Sequence, residues 1–347
     1  MSHDPWDGLA EAEVARVQRV AVSTRPNLVR AEDFAAPPPD EAAARSFGAF
    51  VNSLPHILRA QSFLSVVDAI VEAVRKERTL LWMLGGHVVK TGLAPLLIDL
   101  MRRGAITRLA GNGSVAIHDY ELARWGGTSE DVEAGLASGS YGMAEETGRD
   151  MNLALVRGRE AGWGMAESLA RDLEARGDAL AYPHLSLLVE TRRFGVPFTL
   201  HPAIGTEIIH QHPEADGAAI GDVAMRDFRR LAAALPGLDD GGVVVNLGSA
   251  VVMPEVFLKA LTVARNLNDG RPRAFTAADF DMNSHYRPRV NVVERPTRTG
   301  GGRGYHITGH HELMLPMLAW AVAERLDDAG ASPRARTGAE VGSGAKS

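Results

Sequence analysis

An α/β fold, doubly wound around a mostly parallel sheet with helices on both faces, is predicted for this chain of 347 residues. Three observations carry that prediction. Short apolar, β-rich runs recur along the sequence, amphipathic helical patterns fill most of the gaps between them, and the runs are nearly continuous rather than alternating. Strands buried on both faces, as in a parallel sheet covered by helices, have that composition. The pattern is Rossmann-like.

The elements follow in order. Residues 1–46 read as a weakly ordered arm, ending in the Pro/Ala-rich "FAAPPPDEAAARS". Strands are predicted at 79–84 (TLLWML), 106–110 (ITRLA), 196–201 (VPFTLH), 243–248 (VVVNLG), 274–279 (AFTAAD) and 289–293 (RVNVV). "TGLAPLLIDLMRRG" repeats apolar residues at 93, 96, 97, 100 and 101, and Gly104 stands where the helix should stop. Residues 145–177 form a long helical stretch punctuated by glycines. "PEVFLKALTVARNL" is a helix with Pro254 in its first turn position. The main domain spans 47–326, and 327–347, which has almost no large apolar residue, reads as a disordered tail. Trp82 and Trp125 read as core.

Composition removes several function classes. The chain has no cysteine, so disulfides, thiolate nucleophiles and Cys-ligated metals are excluded. A formal charge of −6 argues against nucleic-acid binding. There is no apolar leader and no run long enough to span a bilayer, so a cytoplasmic, membrane-free location is expected.

In doubly wound sheets ligands bind at the carboxyl ends of the strands, so chemistry is expected in the loops there. After 79–84 comes "GGHVVKTG", with Gly85, Gly86, His87 and Lys90. After 106–110 comes "GNGSVAIHDYE", which holds Asn112, Ser114, Glu121 and the neighbours His118 and Asp119, an imidazole and a carboxylate suited to acid–base work near neutrality. The other reading of Asp119 is a cap for a helix starting near Tyr120. Gly248 and Ser249 follow the fourth run. Glycine pairs after strands let backbone N–H groups approach a phosphate or ribose, but no G-x-G-x-x-G occurs. "FTLHPAIGTEIIHQHPEADG" (198–217) gathers His201, His210, His212, Glu207, Glu214 and Asp216. His210 and His212, with Glu214 or Asp216, fit substrate contact and proton transfer, a metal pair, or a plain structural role. "RPTRTGGGRGYHITGHHE" (295–312) reads as a basic, Gly-rich loop able to close on an anion, with Arg287, Arg289, Arg295, Arg298 and Arg303 close in sequence, and then His310 and His311.

The succession of "GG-x-V", "ITRLAGN", "GVPFTLHPA…IIH" and "VVVNLGSAVVMPE" resembles the deoxyhypusine synthase family over roughly residues 75–315. "GNGSVAIHDYE" is also similar to the NAD-binding domain of ornithine cyclodeaminase-type relatives. The resemblance implies an NAD cofactor held by Gly85, Gly86, Asn112, Gly248 and Ser249, a substrate-site histidine at His210, and a homotetramer. Three departures accompany it. The family's paired glutamates after the glycine turn are replaced by His87, Val88, Val89 and Lys90. Its imine-forming lysine in "WGK" has no counterpart, the region reading "TGHHE". Its acidic stretch ahead of that lysine is "RPTRTGGGRG".

The expectation is therefore an NAD-dependent transferase or oxidoreductase, not a deoxyhypusine synthase, that oxidises a C–N or C–O bond of a small anionic substrate. Its catalytic groups would be His210, His118, Asp119, His310 and His311. Lys90, His212, Glu214 and Arg303 would contact substrate, and no metal is expected. The alternatives are a polyamine aminobutyl transferase of homospermidine synthase type, a His/carboxylate metal-dependent hydrolase or lyase, and a non-catalytic nucleotide sensor.

Overall fold

The computed structural model describes residues 18–21, 24 and 30–328. Six parallel strands form one sheet: β1 (Leu80–Leu84), β2 (Arg108–Asn112), β3 (Phe198–His201), β4 (Val243–Leu247), β5 (Thr276–Asp281) and β6 (Arg303–Thr308). They lie in the order β3-β2-β1-β4-β5-β6. The order reverses between β1 and β4, which places the topological switch point at Gly85 and Gly248.

The helices are α1 (Phe47–Asn52), α2 (Leu58–Arg75), α3 (Gly86–Lys90), α4 (Ala94–Arg102), α5 (Gly113–Trp125), α6 (Val132–Ser138), α7 (Glu145–Ala161), α8 (Met165–Arg176), α9 (Leu187–Arg193), α10 (Gly217–Ala234), α11 (Val252–Leu267), the single turn α12 (Arg295–Thr297) and α13 (His311–Asp328). On one face Leu80, Trp82, Val243, Val245 and Phe280 pack against α2, α4 and α13. On the other, Leu81, Met83, Val244 and Ala277 meet Phe257 and Leu261 of α11. A third core joins α5, α7, α8 and α10 beyond the β3 edge, around Tyr120, Met151, Leu169 and Leu200. Among the described residues no helix is long and apolar enough to cross a membrane.

Five of the six predicted strands are present, each within two residues at its start. The sixth is not. Residues Pro288–Glu294 form a π-helix whose Val290, Val292 and Val293 are buried, because a valine-rich segment suits any apolar surface and β-propensity is a weak prior against tertiary packing. The last strand is instead β6, inside the segment read as a closing loop. It has no apolar run, since only His306 and Ile307 are buried in it. Three of the five arginines grouped with that loop are engaged locally: Arg287 with Glu255, Arg289 with Glu294 and Arg295 with Asn291. The helix over 252–267 starts two residues before Pro254, which is its third residue, a position whose N–H needs no intrahelical partner. Gly162, left-handed at φ +75°, separates α7 from α8 within the long helical stretch. Of the arm, the described part packs back through Ala36 N to Ser53 O and His56 N to Asp33 O. Residues 329–347 of the expected tail lie outside the described residues.

Polar groups buried in this frame are bonded in specific ways. Asn246, Asp279 and His306 stand in register on β4, β5 and β6. Asn246 Nδ2 donates to Asp279 Oδ1 at 2.7 Å, and Asp279 Oδ2 lies 2.7 Å from His306 Nδ1. Asp227 of α10 accepts from Leu200 N of β3 (2.9 Å) and from Ala166 N in the first turn of α8 (3.0 Å). Asp119 lies in the middle of α5 and caps a different helix. It accepts from Ser186 Oγ (2.6 Å), Leu187 N (2.6 Å) and Leu188 N (3.0 Å) at the start of α9. An Asp119→Ala substitution would leave those buried donors unpaired, each at about 1–3 kcal/mol. A loss of roughly 3 kcal/mol or more is expected in chemical denaturation, with the ligand affinity of the folded protein unchanged.

Candidate functional site

The carboxyl ends of the strands carry the polar side chains, and the first of these sit at the switch point. A β-carbon at Gly85 would overlap the carbonyl of Gly248, and one at Gly86 would overlap the Ser114 hydroxyl, so both turns require glycine to come this close. Gly248 is left-handed at φ +68°. The imidazole of His311 packs against it, and the rings of His311 and His87 are 5.9 Å apart. His311 Nδ1 and Asp281 Oδ2 are buried without a hydrogen-bond partner. Burial holds His311 below the usual histidine range, opposed by the nearby Asp281 carboxylate. Asn112 and Ser249 act as caps: Asn112 Oδ1 accepts from Val115 N (3.2 Å) and Ser249 Oγ from Met253 N (3.2 Å).

Beside the switch point a cleft of about 700 Å³ opens between α3, α5, α6, α7 and the loop after β3. Four glutamates, Glu121, Glu130, Glu146 and Glu207, line it, with Lys90 as the one cation among the lining residues. Trp125 belongs to this wall and not to the core. It is 44% exposed, with the Arg124 guanidinium 4.2 Å from its ring centre. Glu207 accepts from Ala203 N (3.0 Å) and is lifted above the usual carboxylate range by burial.

His118 reaches the cleft from α5. Its Nδ1 is 2.8 Å from Thr128 Oγ1, and Thr128 donates to Glu121 Oε2 at 2.5 Å. Burial first, then the charges of Lys90 and His87, pushes the His118 imidazole down to about 4, so it is neutral at pH 7.

The other residues singled out in the sequence are dispersed. Asp119 is turned away into the α9 cap and does not pair with His118. His210 sits behind Glu207, with Nδ1 3.3 Å from Glu207 Oε2 and accepting from Gly205 N at 3.1 Å, while its Nε2 is buried without a partner. His212 Nε2 donates to Gly142 O at 2.8 Å, with its ring against Gly148 of α7. His210 and His212 are thus held separately, and no group of three His, Asp or Glu side chains among the described residues is arranged for a metal ion. Asp216 caps α10, and Glu214, which follows the His212 turn, does not line the cleft. His310 is exposed beside Glu312 (3.7 Å). Arg303 opens β6 at the amino end of the sheet, the opposite end from the cleft, and does not line it.

Thr128, Glu130, Glu146 and Thr147 were not singled out in the sequence. Glu121, which the loop after the second strand did offer, lies three residues after His118, one helical turn along the same face. Thr128 comes over α5 only because Gly126 ends that helix in a left-handed cap.

No family model matches the chain, and no curated protein is similar to it in sequence. Solved structures share its fold. A LOR/SDH-type protein from Methanococcus maripaludis S2 aligns with a TM-score of 0.50 at 15% identity, over 78% of this chain and 69% of that one. A protein assigned as a deoxyhypusine synthase from Entamoeba histolytica aligns at 0.46 and 11% identity, over 82% and 96%. AgrE, solved with ornithine and NAD+, aligns at 0.47 and 15% identity, over 80% of this chain and 35% of AgrE. The cyanobacterial arginine dihydrolase ArgZ is likewise covered over 34% of its length, so this chain spans about a third of either protein. At these identities the likeness is one of fold.

Burial has opposite consequences for the buried acids and bases. Asp119 and Asp227 are raised from 3.8 to about 6 by burial, so their contribution is fully present below 3.8 and is lost as pH rises through 6. His118 and His201 are lowered from 6.5 to about 4 by burial, so theirs is present above 6.5 and is lost as pH falls toward 4. The two pairs oppose each other over the same window. Asp227→Asn removes one acid, and the stability of the wild type relative to the variant should then rise by about 2 kcal/mol from pH 7 to pH 4. Urea denaturation across that range measures it, and a constant difference would refute it.

Proposed function

We propose that the protein is an NAD-dependent enzyme that oxidises a small amine at the carbon bearing its nitrogen, with the substrate in the glutamate-lined cleft and the dinucleotide at the switch point. The observation that carries this reading is the composition of the cleft: four glutamates against one lysine beside a histidine that is neutral at pH 7. An anionic substrate, expected from Lys90 and Arg303, does not suit that charge, and Arg303 is elsewhere. Lys90 suits a carboxylate on the same molecule, which keeps amino acids within the class.

The residues at the switch point fit a dinucleotide. The strand order is the one that opens a crevice between β1 and β4, the glycines keep that crevice free of β-carbons, and Asp281 and His311 offer a buried acceptor and a buried ring nitrogen with no partner in the protein. Gly85, Gly86, His87, Asp281 and His311 would hold the cofactor, with Asn112 and Ser249 fixing the turns around them. When bound, NAD supplies the hydride acceptor.

The chain's own groups prepare the substrate. Glu130, Glu146 and Glu207 concentrate an ammonium in the cleft and orient it. An ammonium has no lone pair with which to expel a hydride, so it must first lose a proton. His118, neutral and open through Nε2, accepts it. His210, through Glu207, sets the charge at the cleft floor.

Mass spectrometry of the denatured protein for released dinucleotide, followed by a calorimetric NAD titration and an amine and amino-acid panel read by NADH fluorescence, tests the proposal. NAD binding with amine-dependent NADH formation is expected. Glu146→Gln should raise KM about tenfold, the loss of one charge-assisted hydrogen bond. Turnover that depends on added metal, with no dinucleotide bound, would replace this reading by a metal-dependent hydrolase or lyase.

A further inference from the structure

One wall of the cleft is a continuous hydrogen-bonded row. Thr147 Oγ1 donates to Glu121 Oε1 at 3.0 Å, Thr128 Oγ1 donates to Glu121 Oε2 at 2.5 Å, and Thr128 Oγ1 lies 2.8 Å from His118 Nδ1. A count of protons fixes its direction. A carboxylate only accepts, and a hydroxyl has one proton to give. Thr128 gives that proton to Glu121, so toward His118 it presents lone pairs alone. The imidazole must then donate, which places the ring proton on Nδ1 and leaves the lone pair on Nε2. No hydrogen bond within the described residues engages Nε2.

We propose that Glu121 and Thr128 are positioning residues that lock His118 in its Nδ1–H tautomer, making Nε2 the proton acceptor of the cleft. The ligand named here, an amine, rests on the functional reading above, whereas the tautomer does not. In the transfer step an N–H bond of the substrate ammonium breaks and an Nε2–H bond forms. The substrate keeps the electron pair as a free amine, and the imidazolium carries the charge. No proton moves along the row. The Nδ1–H···Thr128···Glu121 contacts shorten the reach between the new positive charge and a carboxylate, opposing the unfavourable charges of Lys90 and His87 that face the ring from α3. The proton leaves Nε2 again to solvent through the open side of the cleft. Thr128 also ties the 126–131 turn to α5, so the row fixes ring and wall together.

The experiment is long-range ¹H–¹⁵N correlation spectroscopy on full-length protein labelled at histidine nitrogens, near neutral pH, with the His118 signals assigned from their loss in His118→Gln. Wild type should show His118 neutral with the proton on Nδ1. Thr128→Val, which removes the hydroxyl at nearly constant shape, should move the ring to the Nε2–H form or to a mixture, and Thr128→Ser should restore it. If Thr128→Val does not fold, Glu121→Gln asks the same question, because its amide can donate to Thr128 and turn the hydroxyl proton toward His118. Where amine oxidation is measurable, Thr128→Val should lower kcat roughly 10- to 100-fold with KM within about threefold, and shift the acidic limb of the pH profile. An Nε2–H tautomer in wild type, or an unchanged tautomer in the folded variant, overturns the proposal. If the tautomer behaves as expected but neither NAD nor amine binds, the row stands and the functional reading falls.

Discussion

Two glycines in contact set the geometry of this protein. β1 and β4 are neighbours in the sheet, and both must turn sharply at the same height. Gly85 and Gly248 let the two turns touch backbone to backbone, where any β-carbon would collide. Gly85 N reaches Leu247 O at 2.9 Å, which continues the strand pairing into the turns themselves. From that point α3 and α11 leave on different sides. The polar residues that follow, His87 and Lys90 on one side and Ser249 on the other, are placed by this contact and not by their own preferences. His311 completes the arrangement from the far end of the sheet, since it can approach Gly248 only because no side chain is there.

Around this centre the molecule spends buried carboxylates on architecture and exposed ones on the cleft. Asp119 and Asp227 hold helix starts and a strand edge, fully enclosed, with backbone donors aimed at them. Glu130 and Glu146 line open space. Glu207 belongs to both groups: it fixes the loop after β3 through Ala203 N, yet one of its oxygens is left without a donor at the cleft floor. The third core, beyond β3, backs the outer wall of the cleft, because α5 and α7 pack through Tyr120, Met151 and Leu155 against a cluster that includes Leu169 of α8 and Val223 of α10.

The sequence was legible where packing and backbone chemistry dictate residue type. Five strands, the helix over 94–102 with its stop at Gly104, and the glycine turns followed from apolar runs and glycine placement. β6 was illegible because an edge strand with one buried apolar residue leaves no pattern, and its Arg303 and Gly304 resemble a loop. The site was legible as a set of loops but not as a set of partners. His118 and Asp119 are adjacent in sequence, yet a helix turns successive side chains about 100° apart, so one enters the cleft and the other the core. The contribution of Thr128 depends on a left-handed glycine two residues earlier, and no residue pattern announces which face such a turn will cover.

The anchoring of Leu200 has a consequence for how far the sheet extends. β3 is an outer strand, and outer strands offer free N–H groups to which another strand can add. Here the N–H of Leu200 is held by an enclosed carboxylate that also holds the start of α8. A seventh strand could pair at that position only by displacing Asp227 and loosening a helix at the same time. Growth of the sheet past β3, whether by a further segment or by a neighbouring molecule, is blocked by the same contact that ties the outer helices to it.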